Sequence, residues 1–370
     1  MIKKAFFIII GVILSTILTL GFFETLLYYF PVNEGLRVQP VNEESPIFRF
    51  EPNREVQYSK HWNFDISNKV KINNDGFVNN ADYLKNSKKP LLSIIGDSYV
   101  EALMVPFDKS ISGILGSEAN DKRVYSFAAS GAGLSQHLIW AKYAKKNYRS
   151  DAFIFVIIAN DFSESLYKYE SSPGFHRFNR KDNNDWEFVL STYEPSLSRK
   201  ILRKSKLAMY AITNLNVHKL FKANLNLGQY DKREQYISNF RSDVSSDFWK
   251  EAKWATQIYL ENIENFAGVN KNNILFVIDG VRPHLYDDNQ IEMINDSFWV
   301  NIRNYFLKET SSRGFEVLDM QDKFRENYQH TGKKFEFISD SHWNAHGHSV
   351  VADSIIKSRF WKKFSYVHKK

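Results

Sequence analysis

The residues best suited to chemistry lie in two short stretches far apart in the chain. The first is Pro90-Leu-Leu-Ser-Ile-Ile-Gly-Asp-Ser-Tyr-Val-Glu101, an apolar run that stops at Gly96-Asp97-Ser98. Leu91 to Ile95 has the length of a buried strand, and Gly96 permits a tight turn that a Cβ would obstruct. Ser98 therefore falls where a strand ends and a helix begins, the edge at which open α/β sheets bind ligands. A helix N-terminus there presents free N–H groups to developing negative charge. A serine so placed is a candidate nucleophile, whereas the purely structural reading makes Asp97 or Ser98 the cap of the next helix.

The second stretch is Ile338-Ser-Asp-Ser-His-Trp-Asn-Ala-His-Gly-His348. His342 can act as a general base near neutral pH. Asp340 stands two residues earlier, on the same side of an extended loop, where it can orient the ring. Asp279, at the end of a strand, and Asp161 are rival acids. A metal reading competes, because Asp340, His342, His346 and His348 are all possible zinc ligands. The His342–His346 spacing suits a helix, but the helix is expected to begin near Asn344 and the glutamate of His-Glu-x-x-His is missing, so no metal is expected. Two further stretches offer donors to an oxyanion: Asn160 in Ile157-Ile-Ala-Asn-Asp-Phe162, and Gly131 in Ser126-Phe-Ala-Ala-Ser-Gly-Ala-Gly133. Taken singly, Asn160 could tie a turn and the glycines could serve helix packing.

The elements that must position these residues alternate as strand and helix. Strands are expected at Leu91–Ile95, Arg123–Phe127, Ala152–Ile158, Ile274–Ile278 and Phe315–Leu318, apolar throughout where both faces are covered. Helices are expected at Leu134–Tyr148, Phe248–Phe266, Ile294–Thr310 and Ala345–Phe360. Residues 162–240 break the rhythm with charged, Asn and aromatic residues and read as an insertion forming a lid or substrate-binding cap. Val70-Lys-Ile-Asn-Asn-Asp-Gly-Phe77 reads as an edge strand or hairpin that turns at Asp75-Gly76.

Upstream, Lys3 and Lys4 precede a nearly unbroken apolar stretch from Ala5 to Phe30, interrupted by Glu24 and longer than the ~20 residues that span a bilayer. Tyr28-Tyr29-Phe30-Pro31 lacks the small-x-small pattern of a cleavage site, so residues 1–30 read as an uncleaved signal anchor with a cytoplasmic N-terminus. Residues 31–69, with Pro31, Pro40, Pro46 and Pro52, read as an extended linker, and 70–370 as the catalytic domain. The chain of 370 residues is 43% hydrophobic and 25% charged, enough for a full core. Its net charge of +7 is scattered, with no nucleic-acid motif, and it has no cysteine, which excludes disulfides and thiolate chemistry.

Gly96-Asp97-Ser98, Gly131, Asn160 and His342 occur in the order and spacing of the four blocks of the SGNH (GDSL-type) hydrolase superfamily, which the chain resembles from about residue 91 to 360. The resemblance implies an α/β, three-layer αβα fold, flavodoxin-like, with a parallel sheet of about five strands. It also implies Ser98 as nucleophile, His342 as base, and an oxyanion hole from the Ser98 N–H, the Gly131 N–H and the Asn160 side chain, with no cofactor. Ala159 stands where the family has Gly, and Ser339 where it has the triad Asp; Asp340 supplies the acid instead. The resulting Asp-Ser-His-Trp is similar to the Asp-x-His-Trp motif of the alginate O-acetyltransferase-like branch.

These readings lead to a serine esterase or O-acyltransferase acting on acyl, chiefly acetyl, esters of an extracytoplasmic bacterial glycan. It would be held as a single-pass protein in the inner membrane through residues 5–30, with its catalytic domain in the periplasm. Transfer would need a membrane-bound acyltransferase partner. The alternative is a non-catalytic glycan-binding or polysaccharide-assembly scaffold that keeps the fold.

Overall fold

A computed structural model of the chain describes residues 2–181, 185–217, 244–286, 295 and 297–366. The remainder of the expected insertion from 218 to 240, the expected helix start at Ile294 and the terminal Lys369-Lys370 lie outside them. The chain divides into two compact units. One comprises Met1–Arg37, Glu55–Val70 and Pro195–Tyr230; the other comprises Val38–Arg54, Lys71–Glu194 and Asp231–Lys370.

The larger unit is built on a five-stranded parallel sheet of β3 (Leu91–Gly96), β4 (Arg123–Ala128), β5 (Ala152–Ile157), β8 (Ile274–Ile278) and β9 (Glu316–Asp319). The spatial order is β4-β3-β5-β8-β9, with every pair parallel. The first four of these strands in the chain are expected from their apolar runs and fall within a residue of those runs, because every position in them is buried. Helices cover both faces. On one, α3 (Ile111–Glu118), α8 (Ala345–Lys357) and α9 (Arg359–Tyr366) bury Leu115, Val351, Ile355 and Phe360 against Leu92, Ile154 and Leu275. On the other, Tyr259 of α5 (Ser246–Ala267) meets Phe155 at 6.1 Å, and Phe306 of α6 (Phe298–Ser312) meets Phe276 at 5.5 Å. With α4 (Leu134–Tyr148) packed on α5, this completes three αβα layers.

The order places β4 and β5 on opposite sides of β3, so the chain reverses direction across the sheet at β3, the place at which open α/β sheets form a crevice outside the strand C-termini. Register sets Gly96 beside Ala128, and Ile95 beside Phe155. The loops that follow β3, β4 and β5 therefore start from one edge. Gly96 itself is required: a Cβ there would stand 2.4 Å from Cγ2 of Val100.

The stretches outside this core carry more structure than their composition suggests. Residues 54–60 (β1) and 66–72 (β2), within or bordering the expected linker, pair as a two-stranded sheet. In the expected insertion, β6 (His176–Arg180) and β7 (Trp186–Leu190) form an antiparallel hairpin. Met320–Thr331 forms a helix, α7, that has no counterpart in the sequence reading, and the expected closing helix ends at Lys357 before α9 begins.

In the smaller unit, α1 (Ile2–Leu27) is long and apolar enough to cross a membrane. Its last turn joins the unit's core, where Leu27 and Val32 are buried with Met209. Glu24, the one acidic residue in the apolar stretch, is bonded within the unit. Its carboxylate accepts from the Ser205 hydroxyl at 2.7 Å, the Lys206 N–H at 2.8 Å and the Leu207 N–H at 2.9 Å, capping the helix Lys206–Met209. Glu24→Ala removes the acceptor from three donors and should destabilise this unit by about 1–3 kcal/mol. Hydrogen–deuterium exchange of the full-length chain in lipid nanodiscs would show the amides of Lys206 and Leu207 exchanging faster, with β3 unchanged. Equal exchange at those amides would show that the cap contributes nothing.

Candidate active site

Ser98 is the first residue of α2 (Ser98–Glu101), a single turn capped by Asp97, whose side chain accepts from the Tyr99 N–H at 2.9 Å. The capping residue is thus Asp97, and the Ser98 hydroxyl is left for other partners. His342 Nε2 lies 2.8 Å from Ser98 Oγ. On the other side of the ring, Nδ1 lies 2.5 Å from Asp340 Oδ1, which also accepts the His342 N–H at 2.9 Å. A carboxylate can only accept, so a hydrogen bond from Nδ1 to Asp340 leaves the Nε2 lone pair for the serine hydroxyl. Ser98, His342 and Asp340 are therefore in a single file of hydrogen bonds.

The loop that delivers His342 is pinned from below by Asp279, the residue after β8. Its Oδ1 accepts the Trp343 indole N–H at 3.0 Å, and its Oδ2 accepts from Arg282 at 3.2 Å. Arg282 also donates to the Tyr99 hydroxyl at 2.8 Å and to Glu336 at 3.2 Å. The Tyr99 hydroxyl in turn donates to the Ser341 carbonyl at 2.9 Å, and its ring lies 4.8 Å from that of His342. Asp279 thus holds the residues on either side of the imidazole. It is bonded to Trp343 and Arg282, and Asp161 accepts the Ile158 N–H at 2.8 Å, whereas the acid on the His342 ring is Asp340.

The three histidines of the loop face different partners. His346 Nε2 meets Asn327 Oδ1 at 2.8 Å, and His348 is buried edge-on to Trp343, its pKa pushed down to about 3 by burial. The close grouping of acidic ligand atoms is elsewhere: Asp97, Asp161 and Glu164 each bring one oxygen within 4.8 Å of the others.

Asn160 follows β5, and its amide nitrogen donates to Glu164 Oε2 at 2.8 Å and, with a longer bond of 3.3 Å, to Asp97 Oδ2. That same Asp97 oxygen lies 3.3 Å from Ser98 Oγ, so Ser98 and Asn160 border one point. Gly131, at φ +90°, adopts a backbone that favours glycine. Its neighbour Ser130 donates both its N–H, at 3.0 Å, and its hydroxyl, at 2.6 Å, to Glu101 Oε2 on the last residue of α2. Glu101 therefore ties the Gly131 loop to the helix that carries Ser98. Gly133 packs this loop down, since a Cβ there would meet the backbone of Asp161 and Ser165 at 2.5 Å.

Glu101 and Glu164 are not legible in these roles from sequence, where Asp97 reads only as a candidate helix cap. Asn160 and Glu164 have i, i+4 spacing, but the turn Asp161–Glu164 is too short to announce itself as a helix. Burial disfavours ionisation of all three acids: Asp97 is raised, Glu101 is pushed up to about 7 and Glu164 to about 8, the last also by its nearness to Asp97. Burial raises Asp161 as well. Near neutral pH the crevice therefore carries less negative charge than its acids would otherwise give it.

No family model and no curated protein matches the sequence. The chain is similar to solved structures that include a member of the lipolytic protein G-D-S-L family from Veillonella parvula (11% identity, TM-score 0.37, covering 73% of this chain and 97% of that one). They also include an extracellular lipase from Streptomyces rimosus (12% identity, TM-score 0.37, covering 72% and 98%). A third is a family two carbohydrate esterase from Clostridium thermocellum in complex with cellohexaose (10% identity, TM-score 0.34, covering 74% and 64%).

The raised glutamates set the sign of a pH effect on stability. Their folded pKa values, about 7 and about 8, exceed the ordinary 4.5, so between those limits the folded chain holds protons that the unfolded chain releases. Their contribution to stability is present below about pH 4.5 and is lost as pH rises towards 8. Above the ordinary histidine pKa of 6.5, where the buried His137, His176 and His348 are neutral in both states, thermal unfolding of the wild type should show melting temperature falling towards pH 8, and Glu101→Gln with Glu164→Gln should flatten the slope. An equal slope in the double variant would place the pH dependence on other groups.

Proposed function

We propose that this protein is a serine esterase or O-acyltransferase of the SGNH type, acting on acyl, chiefly acetyl, esters of an extracytoplasmic bacterial glycan. The observation that carries the reading is the file Ser98 Oγ, His342 Nε2, His342 Nδ1, Asp340 Oδ1, with contacts of 2.8 and 2.5 Å. In it a hydroxyl faces a base whose far side is fixed by an acid.

In the proposed reaction His342 Nε2 takes the Ser98 proton as Oγ attacks the ester carbonyl, and Asp340 stabilises the imidazolium. Negative charge then develops on the carbonyl oxygen. The Ser98 and Gly131 N–H groups and the Asn160 amide receive it. Of the two Asn160 hydrogens, one is held firmly by Glu164 and fixes the plane of the amide; the other makes only the longer bond to Asp97 and can turn to the oxyanion. The protonated state favoured at Glu164 matters here, because an ionised carboxylate behind the amide would oppose the developing charge. His342 passes its proton to the departing alcohol, leaving the acyl group on Ser98. Water or a sugar hydroxyl, activated by His342, completes hydrolysis or transfer.

Both outcomes use the same atoms, and a membrane-bound acyltransferase partner is the natural source of acyl groups for transfer. The helix Ile2–Leu27, with Lys3 and Lys4 in its first turn, supports a single-pass anchor with the catalytic unit outside the cytoplasm, in the periplasm of an inner-membrane protein. The similarity of the Asp-Ser-His-Trp stretch to the alginate O-acetyltransferase-like branch supports a polysaccharide substrate.

Ser98→Ala should reduce turnover of p-nitrophenyl acetate by ~10³-fold or more with the fold intact, since only the hydroxyl is lost. Undiminished turnover in a clean preparation would remove Ser98 as the nucleophile.

Labelling of Ser98 by an activated organophosphonate separates the acids. Asp340→Asn should slow it by about 10³- to 10⁴-fold by favouring the wrong tautomer. Asp279→Asn keeps an acceptor for Trp343 and should slow it far less. The reverse ranking would transfer the triad role to Asp279.

A further inference from the structure

The smaller unit carries an apolar and basic surface beside the exit of α1, and none of the chemistry above uses it. Helix Leu197–Leu202 exposes Leu197 and Ile201, by 77% and 68%, at positions four apart and so on one face. Trp62, on the tip between β1 and β2, is exposed by 69%, and Tyr29, just after α1, by 84%. Residues 195–217 contain Arg199, Lys200, Arg203, Lys204 and Lys206 and no acidic residue. Isolated exposed apolar side chains need no explanation, but large ones gathered with cations at a membrane-helix exit do.

These elements are tied to the end of α1. Glu24 caps Ser205 to Leu207 with its three bonds. Phe30 stacks on Phe64 at 5.9 Å, Phe64 meets Tyr210 at 5.5 Å, and the Tyr210 hydroxyl donates to the Trp62 carbonyl at 2.8 Å. The helix also fixes the depth. From Ile2 to Glu24 the rise is about 33 Å at ~1.5 Å per residue, close to the ~30 Å of a hydrocarbon core. With Lys3 and Lys4 at one boundary, Glu24 stands at the other, and the segment bonded to it lies at headgroup level.

We infer that Trp62 and the segment 195–217 form a collar that lies in the outer membrane–water interface around the exit of α1. In it Leu197, Ile201 and Trp62 enter the acyl boundary, and Arg199, Lys200 and Lys204 face anionic lipid headgroups. The occupant is a bilayer surface, argued from continuity with the transmembrane helix and from charge. An amphipathic helix with basic residues beside an apolar face is suited to that boundary. Trp and Tyr are suited to it as well. The collar requires α1 to be in a membrane, but not the esterase reading.

Because the chain has no cysteine, single cysteines at Leu197, Ile201 and, as a reference in mid-span, Val12 can each carry a nitroxide in the full-length protein. The proteins would be reconstituted in vesicles of phosphatidylcholine and phosphatidylglycerol, and collisions measured with oxygen and with a water-soluble nickel chelate. The inference expects labels at 197 and 201 to be several-fold shielded from nickel while open to oxygen, at shallower depth than the Val12 label. Lys200→Glu with Lys204→Glu should raise nickel access at 201 in these vesicles but not in pure phosphatidylcholine. Labels at 197 and 201 that meet nickel as a free nitroxide does, with Val12 shielded, would overturn the collar and leave the anchor standing. Nickel access at Val12 would overturn both. Shielding from nickel and oxygen together would assign the surface to a second copy or another protein, and no response to the charge reversal would overturn anionic-lipid recognition.

Discussion

Ser98 and His342 are 244 positions apart in the chain and 2.8 Å apart in the structure, and the proposed chemistry depends on a loop being held still enough to keep them so. A loop of polar residues has no core of its own; it must be fixed by bonds from elements that do. Asp279 provides the main fixing point, because it is buried at the end of β8 and takes both the Trp343 indole and Arg282. Arg282 then aligns the Tyr99 hydroxyl, and Tyr99 grips the Ser341 carbonyl. Tyr99 is also the residue after Ser98, so Ser98 and His342 are held by the same network. On the far side, Asn344 caps α8 by accepting the Gly347 N–H and donates to the Glu336 carbonyl. His342 thus lies between two anchored neighbours.

The same edge of the sheet collects more carboxyl groups than the chemistry alone calls for. Asp97 caps α2, Glu101 ties Ser130, Glu164 holds Asn160, and Asp161 closes the turn after β5. Each does positioning work through donated N–H or O–H groups. Four ionised carboxylates so near Ser98 would oppose an oxyanion, and burial is what reconciles the two demands. By raising their pKa values it favours neutral acids that still accept hydrogen bonds. Asp340 differs in kind, since its bonds run to the histidine that becomes a cation in the proposed reaction.

How much of this can be read from sequence follows from the range of each interaction. The central strands announce themselves because covering both faces makes every residue apolar, as in Leu91–Ile95 and Ile274–Ile278. Asp340 and His342 are legible because two-residue spacing in an extended loop is local geometry. Helix Met320–Thr331 is not, since only Met320, Gln321 and Phe324 are buried and its other residues are mostly polar, leaving little period to detect. The strands 54–60 and 66–72 are hidden by flanking prolines and by their many polar residues. Glu101 and Glu164 are hidden for a different reason. What they hold, Ser130 and Asn160, is decided by how loops from separate strands meet at one edge, which no local pattern encodes.

Glu24 shows the same limit from the other side. In the sequence it is a flaw, an ionisable group near the end of an otherwise apolar span, where desolvation disfavours it. In the fold it is a cap, supplied with a hydroxyl and two backbone donors from residues 205–207. The dependence runs in both directions. The short helix Lys206–Met209 has its own cap in Ser205, which accepts the Ala208 N–H, but takes the acceptor for its first two N–H groups from α1, and Met209 takes its buried neighbours from Leu27 and Val32. Removal of α1 by cleavage after Phe30 would therefore strip the cap from residues 205–207 and expose Met209. The last turn of α1 is therefore part of the unit's core as well as the end of an apolar helix.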